Sequence, residues 1–469
     1  MLRAAIALCL ISSAHAAPMG FDEARHLLNR TGFGATLAEV NSYAKLSREE
    51  AVEQLLSSAV REARIPPPKW VNERIVPPRA LKAMSEDERK AERRQNVEKS
   101  FELREWWYRE MLTTSSPLTE KMTLFWHNHF VSSQQKVRYP QLMHRQNVLL
   151  RQHALGNFGA FLHEIARDPA MVIYLDSALN RKAQPNENFA REVMELFTLG
   201  EGNFSERDVK QAARAFTGWS IDPETGKYRF RRFQHDSAEK IVLGKSGNFD
   251  GHQVLDILLA QPKTAEFISR KLWREFISPL PNEREIARIA QAFRESGYEI
   301  KAALRTLFNS DAFYAAENRG SLIKSPVELL VGTLRQFEIE PENLRPVALA
   351  GAYLGQNIFS PPNVKGWPGG ETWINSNTLL ARKATLARLF RAEEMPSRET
   401  ADKAARRMVK MERAVRGFTF DYPSWAGEFK SSQAEMSSLL LAIPPHRAPN
   451  GEGVDFVRAL VLDPVYQLK

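Results

Sequence analysis

The sequence predicts a mainly α protein, a multi-helix bundle-like body with one small inserted β-hairpin. Helix-start signals carry most of that reading. Ser47-Arg48-Glu49-Glu50, Ser85-Glu86-Asp87-Glu88 and Ser325-Pro326-Val327-Glu328 each fit the capping box, in which Ser and Glu satisfy end amides reciprocally. Neither strand-helix alternation of the doubly wound kind nor a fixed-period repeat occurs along the chain. The one β signal lies at 219–233, where Asp222-Pro223-Glu224-Thr225-Gly226 separates Trp219-Ser220-Ile221 from the alternating Tyr228-Arg229-Phe230-Arg231.

Taken in order, residues 1–16, MLRAAIALCLISSAHA, have a positive charge at Arg3, an apolar run from Ala4 to Ile11 and Ala14-His15-Ala16 as a small-x-small cleavage signal. This is the pattern of a secretory signal peptide cut after Ala16, so the mature protein is expected to be periplasmic or secreted. The run is too short to span a bilayer, and no later segment approaches the ~18 uninterrupted apolar residues of a membrane helix. Cys9 is the chain's one cysteine, and Leu8 precedes it where a lipoprotein anchor requires a small residue. A mature chain without thiols excludes a cysteine nucleophile, Cys-ligated zinc, an iron–sulfur cluster and c-type haem attachment. Any metal must then be held by His, Asp or Glu. Losing Arg3 leaves 64 basic against 56 acidic side chains, a mature balance of +8. Such a balance favours anionic polymers or membrane surfaces and more commonly serves solubility, and an exported protein is not expected to meet nucleic acid.

About 450 mature residues fit two or three domains or one large helical body. After a first helical hairpin, PPPKWVNERIVPP (66–78) is too rich in proline for a helix and links to a long charged helix. Between Glu86 and Arg109 that helix carries seven acidic and seven basic side chains, which reads as a solvated, salt-bridged face. Ser116-Pro117 is a further N-cap with proline at the first helical position. The main helical domain is expected over 17–394. From about 395 a C-terminal helical extension follows, with a charged helix, a polar stretch at Pro444-Pro445 and a final apolar helix near 456–462.

Four stretches could carry chemistry. In FWHNHF (125–130), a helix running from Pro117 through Phe130 aligns Leu118, Met122, Phe125 and His129 in one apolar stripe and turns His127 about 200° away, so the imidazoles could not share a metal. They converge only if the helix stops near Trp126 and the chain becomes extended. A ligand pair and two structural histidines are the alternatives. His127, His129, His144, His153 and His163 are five of the nine mature histidines, within 37 residues. In PNENFAREVMELFTLG (185–200), Asn186 is the expected N-cap, Phe189, Val193 and Leu196 the buried stripe and Gly200 the stop. Glu187, Arg191 and Glu195 stand at i, i+4 and i+8 beside Asn188 and Glu192. That is either a surface ladder or a buried Glu–Arg–Glu set tuned for acid/base or metal work.

His235-Asp236, with Lys240 following, is either an oriented base or turn chemistry. The loop PPNVKGWPGGETWINSNT (361–378), before a helix capped by Ser376, carries Asn363, Trp367 and Trp373. These form either a sugar-stacking surface or aromatic pins to the body. The nucleophile elbow and the dinucleotide fingerprint are missing, and Gly244-Lys245-Ser246 lacks the earlier glycine of a phosphate loop.

Together HLLNRTGFG (26–34), FWHNHF (125–130), NENFAREVMELFTLG (186–200), AARAFTGW (212–219), His235-Asp236 with Lys240, KSP (324–326) and GQNIFSPPNVKGW (355–367) resemble, in this order, the bacterial family called domain of unknown function 1800, over about residues 21–390. The resemblance implies an exported, mostly helical protein of no established activity, whose gene often neighbours one for a secreted sulfatase-like protein. Its pattern falls on His26, Arg30, His127, His129, Asn186, Glu187, Arg191, Glu192, Arg214, Trp219, His235, Asp236, Lys324, Gln356, Gly366 and Trp367. Many members carry a histidine where this chain has Phe197.

The expectation is an exported enzyme with its polar site between the helices at 117–130 and 187–199, hydrolysing an extracellular polymer or its fragments. His127 and His129 would ligate a divalent metal or act as acid/base groups. Glu187, Arg191, Glu192, His235 and Asp236 would be catalytic, and Arg30, Lys240, Lys324, Asn363, Trp367 and Trp373 would bind substrate. The competing expectation is a non-catalytic partner of the sulfatase-like protein, or of a cell-surface glycan or other anionic polymer.

Overall fold

In the computed structural model, which describes residues 17–390, 420–430 and 432–469, each of the three Ser-x-x-Glu signals opens a helix with both reciprocal bonds of the capping box in place. The leader peptide expected at 1–16 and the charged helix expected from about 395 lie outside the described residues. The fold is 62% helical, and among the described residues the strands form two separate antiparallel pairs, so the mainly α class holds.

The first group is α1 (Gly20–Thr31), α2 (Leu37–Tyr43) and α3 (Arg48–Ser57). The proline-rich link buries Trp70 and Val71 in a 3-10 turn, Lys69–Asn72, before α4 (Pro78–Ala83) and the long α5 (Glu86–Thr113). Proline opens α6 (Pro117–His129) as expected, but Ser116 does not cap it. Its hydroxyl pairs with Thr119 Oγ1 at 2.8 Å instead. Then come α7 (Gln134–Val137), α8 (Pro140–His153), α9 (Phe158–Ala166) and α10 (Pro169–Tyr174).

The stretch expected as one helix from 187 divides. Residues Asn188–Glu192 form α11, and Val193–Thr198 widen into a π-helix. Asn186 does not cap the helix N-terminus through N2 or N3; its Oδ1 accepts the Asn188 N–H at 2.9 Å. After α12 (Glu206–Ala215) the expected hairpin forms from β1 (Trp219–Ile221) and β2 (Tyr228–Phe230), with Trp219 opposite Phe230. A second hairpin, β3 (Lys240–Val242) and β4 (Lys245–Gly247), was not legible beforehand. Its two-residue turn puts Leu243 at φ +49° and Gly244 at +78°, and a leucine at the first position hides the usual Asn-Gly signal.

Next in the chain are α13 (Gly251–Ala260), α14 (Pro262–Phe276), α15 (Glu283–Glu295), α16 (Ile300–Phe308) and α17 (Asp311–Tyr314), then α18 (Pro326–Gln336), α19 (Arg345–Tyr353) and α20 (Ser376–Leu389). The cap of α20 is Asn375, whose Oδ1 accepts from Thr378; Ser376 is the first helical residue. The described part of the C-terminal extension holds α21 (Tyr422–Glu428), α22 (Gln433–Leu440) and α23 (Gly453–Leu462).

That extension shares one apolar core with the rest: Trp425, Phe429, Leu439, Val457 and Tyr466 belong to the same buried cluster as Leu27, Phe130 and Leu330. Each such side chain contributes roughly 1.5–3 kcal/mol on burial. Polar clamps fix the same arrangement. Arg25 on α1 donates to the carbonyls of Ser438 and Leu441, and Arg30 donates to those of Phe276 and Ile277 at 3.1 Å. Three central helices meet at a buried carboxylate: Glu120 on α6 accepts from Trp107 Nε1 on α5 at 2.8 Å and pairs with Arg151 on α8 at 2.5 Å.

Candidate functional site

A groove of about 1340 Å³ is lined by α5, α19, residues of α4 and the segment from α7 into Tyr139. Helical period explains its α5 wall. Arg89, Arg93, Asn96, Val97, Ser100, Phe101 and Arg104 recur at steps of three, four and one, which keeps them on one face. Leu81, Val97, Phe101, Ile173, Leu349 and Ala352 supply an apolar floor, and Val97 and Leu349 are solvent-exposed. Around it stand Lys82, Arg89, Arg93, Arg104, Lys136 and Arg138, against one acidic residue, Glu92. Lys136 is paired with Asp176 at 2.7 Å. Lys82, Arg89, Arg93 and Arg138 form no ion pair among the described residues.

Arg104 is the buried anchor of this site. Its Nε donates to Asn357 Oδ1 at 2.9 Å and to the Ile358 carbonyl at 3.2 Å, while its terminal nitrogens reach the Ser100 carbonyl (2.9 Å), Gln134 Oε1 (3.3 Å) and Ser360 Oγ (3.4 Å). Burial pulls its guanidinium down to about 10, still charged at neutral pH. The floor segment it grips contains Phe359, held at φ +63°. Here His127 acts: its Nε2 accepts the Phe359 N–H at 3.1 Å, while the Phe359 carbonyl accepts from Gln134 N at 2.8 Å.

None of the sequence-predicted site residues lines the groove, and they are not gathered at one point elsewhere. Because α6 stays helical through His129, the imidazoles diverge and meet different partners, the arrangement expected for a continuous helix. His129 Nε2 donates to the Phe197 carbonyl at 3.2 Å, and its Nδ1 accepts from Lys271 Nζ at 2.9 Å. Lys271 also donates to the Leu196 carbonyl at 3.2 Å, so this pair satisfies carbonyls of the π-helix. Burial pulls Lys271 down to about 7, and burial with Lys271 nearby keeps His129 neutral. Among the described residues no three His, Cys, Asp or Glu side chains are placed to hold a metal.

No hydrogen bond or ion pair joins either imidazole to Glu187, Arg191 or Glu192. Arg191 pairs with Glu187 at 3.2 Å and with Glu206 at 2.7 Å, the ladder arrangement at a largely open surface. The Glu192 carboxyl is raised by burial first and by Glu195 second, while Glu195 lies 3.6 Å from Lys365.

His235 and Asp236 follow the turn reading. His235 Nδ1 donates to the Thr217 carbonyl at 3.0 Å, Asp236 takes Arg214 Nε at 2.7 Å, and Lys240 Nζ ties the Asp236 and Ala238 carbonyls at 2.6 and 2.9 Å. Asn363 closes its own turn by accepting from Lys365 N at 2.9 Å. Trp367 and Trp373 are 5% and 7% exposed, so they pin the loop and offer no stacking face, a correction to the sugar-surface expectation. Arg30 is fully buried on main-chain carbonyls, which corrects its substrate role, and Lys324 lies against Tyr466 with its ammonium 4.0 Å from the ring centre. The run of histidines in sequence also disperses: His153 stacks on Phe161, and His163 meets His252 at 3.1 Å and Asp256 at 2.9 Å.

The buried imidazoles predict acid sensitivity. Burial pushes His26 and His127 down to about 3 and His144 to about 4. An unfolded histidine takes its proton near 6.5, so below that pH the unfolded chain binds more protons and stability falls until the folded values are reached. Asp168, raised to about 7 by burial, opposes this because its contribution grows as pH falls, as does that of Glu192, but the four buried imidazoles, His129 included, outweigh them. Thermal unfolding should show a midpoint that drops steadily from about pH 6.5 to 4.5, for a loss of several kcal/mol. A flat midpoint over that window would contradict neutral burial.

A family model described as "Protein of unknown function (DUF1800)" matches residues 26–452. Comparison with curated proteins and with solved structures finds no match. The family match takes in the second half of α1, the segment gripped by Arg104, the pinned tryptophan loop and much of the C-terminal extension, and on that extent the chain belongs to the DUF1800 family.

Proposed function

We propose that the protein binds an anionic ligand with an apolar body, of the alkyl phosphate or anionic lipid class, in the groove between α5 and α19. The observation that supports this is the lining itself: an apolar floor bordered by six cationic side chains and one carboxylate, with four of the cations unpaired. Unpaired cations at a rim steer and orient an anion, and each contact is worth a fraction of a kcal/mol to about 1 kcal/mol at an exposed position. The floor adds roughly 25 cal/mol for each Å² of apolar surface it covers. At about 1340 Å³ the groove exceeds the ~300–1,000 Å³ of a small-molecule pocket, which suits an extended ligand. The candidate acid/base residues sit outside the groove, so the reading is binding and not turnover. Export rests on the leader-like residues 1–16, and a secreted sulfatase-like partner on the family resemblance. Both belong to the same proposal.

Calorimetric titration with dodecyl phosphate below its micellar concentration tests it, with dodecyl maltoside as the uncharged control. Dodecyl phosphate should bind and the maltoside should not. The double variant Arg93→Glu/Arg138→Glu should weaken dodecyl phosphate at least tenfold, about 1.4 kcal/mol, with an unchanged melting midpoint. Equal binding of the two amphiphiles would remove the charge argument. Binding of an anionic polysaccharide in the absence of dodecyl phosphate binding would replace the amphiphile by a glycan polymer.

A further inference from the structure

Outside the groove lining, lysines and carboxylates gather where α1, α6, α14, α18 and residue 469 meet. Glu328 on α18 accepts from both Lys121 and Lys469 through Oε1, and its Oε2 takes the Ser325 N–H at 2.7 Å. Lys121 also pairs with Glu275 at 2.5 Å, and Glu275 lies 3.8 Å from Lys469. These four side chains form a closed, charge-balanced set. Three further cations surround it without touching a carboxylate. Arg30 is held by main-chain carbonyls and Ser321 Oγ, and Arg382 by the Lys324 carbonyl at 3.0 Å and Gln467 Oε1 at 3.1 Å. Lys324 has no hydrogen-bond acceptor for its ammonium among the described residues and rests on the Tyr466 ring. Charge held away from bulk water is unfavourable unless a counter-ion or water meets it.

Lys324, Lys469 and Glu328 open onto a cavity of about 10 Å³, room for one water-sized particle, whose other walls include Asn29 and Gln336. Both amides already have their oxygens occupied: Asn29 Oδ1 accepts from Ala35 N at 3.1 Å and Gln336 Oε1 from Tyr466 OH at 3.4 Å. Their NH2 groups have no protein acceptor among the described residues, and the carboxylate in the wall already accepts from Lys121, Lys469 and the Ser325 N–H. The wall is also fixed in place. Gly34, at φ +88°, packs against Gly332, where an added Cβ would stand 3.0 Å from the Gly332 carbonyl oxygen. We propose that this cavity binds a single small inorganic anion of the halide class, held by Lys324 with the amides of Asn29 and Gln336. A chloride ion there would compensate Lys324, the half-buried cation at the cavity wall that no carboxylate touches among the described residues.

The test is thermal unfolding of the intact protein in sodium chloride, sodium bromide and sodium methanesulfonate at one ionic strength. Chloride and bromide should raise the midpoint by about 2–5 °C with saturation, relative to the bulkier methanesulfonate. Lys324→Met keeps an unbranched side chain one atom shorter and removes its charge. It should abolish the halide response while leaving the midpoint in methanesulfonate equal to or above the wild type's. A merely structural lysine would instead lower the midpoint in all three salts and leave the halide response intact, which would overturn the proposal, as would identical wild-type midpoints. Should the variant not fold, crystals of the wild type grown in bromide decide the matter. An anomalous peak in the cavity beside Lys324 Nζ supports the site, and its absence overturns it.

Discussion

Replacing Glu120 by alanine is expected to remove about 3–5 kcal/mol of folding stability. The carboxylate is 1% exposed and serves three helices at once, accepting the Trp107 indole N–H from α5 while its two oxygens meet Arg151 from α8 at 2.5 and 2.9 Å. Most of the cost comes from what is left behind. Arg151 is equally buried, and its remaining terminal nitrogen already has no partner, so removing Glu120 strands a whole guanidinium in the core. Chemical denaturation measures the loss, and a second variant identifies its source. Glu120→Leu combined with Arg151→Met should recover a large part of what Glu120→Ala loses, since an apolar pair no longer buries an orphan charge. A loss below about 1 kcal/mol in Glu120→Ala would mean that water reaches Arg151 and that the three-helix junction is not sealed.

The second large effect is expected at Gly366. Its φ of +77° lies in the left-handed region, and an added Cβ would stand 2.7 Å from the Asn128 carbonyl oxygen, a main-chain atom that cannot step aside. Asn128, the central residue of FWHNHF, accepts the Trp367 N–H at 2.7 Å and donates to the Trp367 carbonyl at 3.1 Å, so Gly366→Ala breaks the contact that docks the tryptophan loop on α6. The expected loss is about 2–4 kcal/mol. Tryptophan emission should shift to the red as Trp367 gains solvent, and limited proteolysis should open the 361–375 loop. An unshifted spectrum with a midpoint within a degree of the wild type would show that the loop is held elsewhere.

The helix starts were readable because a capping box is local: Ser47, Ser85 and Ser325 meet a glutamate three residues away and need no partner from another part of the chain. The π-helix was not readable for the opposite reason. Its freed carbonyls at Leu196 and Phe197 are met by Lys271 and His129, the first from α14 and the second from α6, and neither partner is visible from the stretch itself. The histidine pair was resolved by the helical arithmetic once α6 proved to run through His129, yet which atom His127 would serve depended on Phe359, more than two hundred residues later. The groove escaped notice because charges on α5 balance when counted along the helix. Taken by face they do not: the Arg89, Arg93, Ser100 and Arg104 stripe carries the cations inward, a signal available from periodicity alone.

The clamps on α1 also set a timetable. Arg25 waits for the carbonyls of Ser438 and Leu441, and His26 for that of Phe313 at 2.8 Å, so the first helix cannot complete its packing until residue 441 has been made. At about 5–20 residues per second of synthesis, that is a delay of roughly 20–80 seconds. During that interval α1 has α2 and then α6 to pack on, but the acceptors of its Arg25 and His26 are still missing. The nascent chain therefore spends its life on the ribosome without its closing contacts, a state in which it is open to chaperones and to whatever machinery handles unfolded polypeptides.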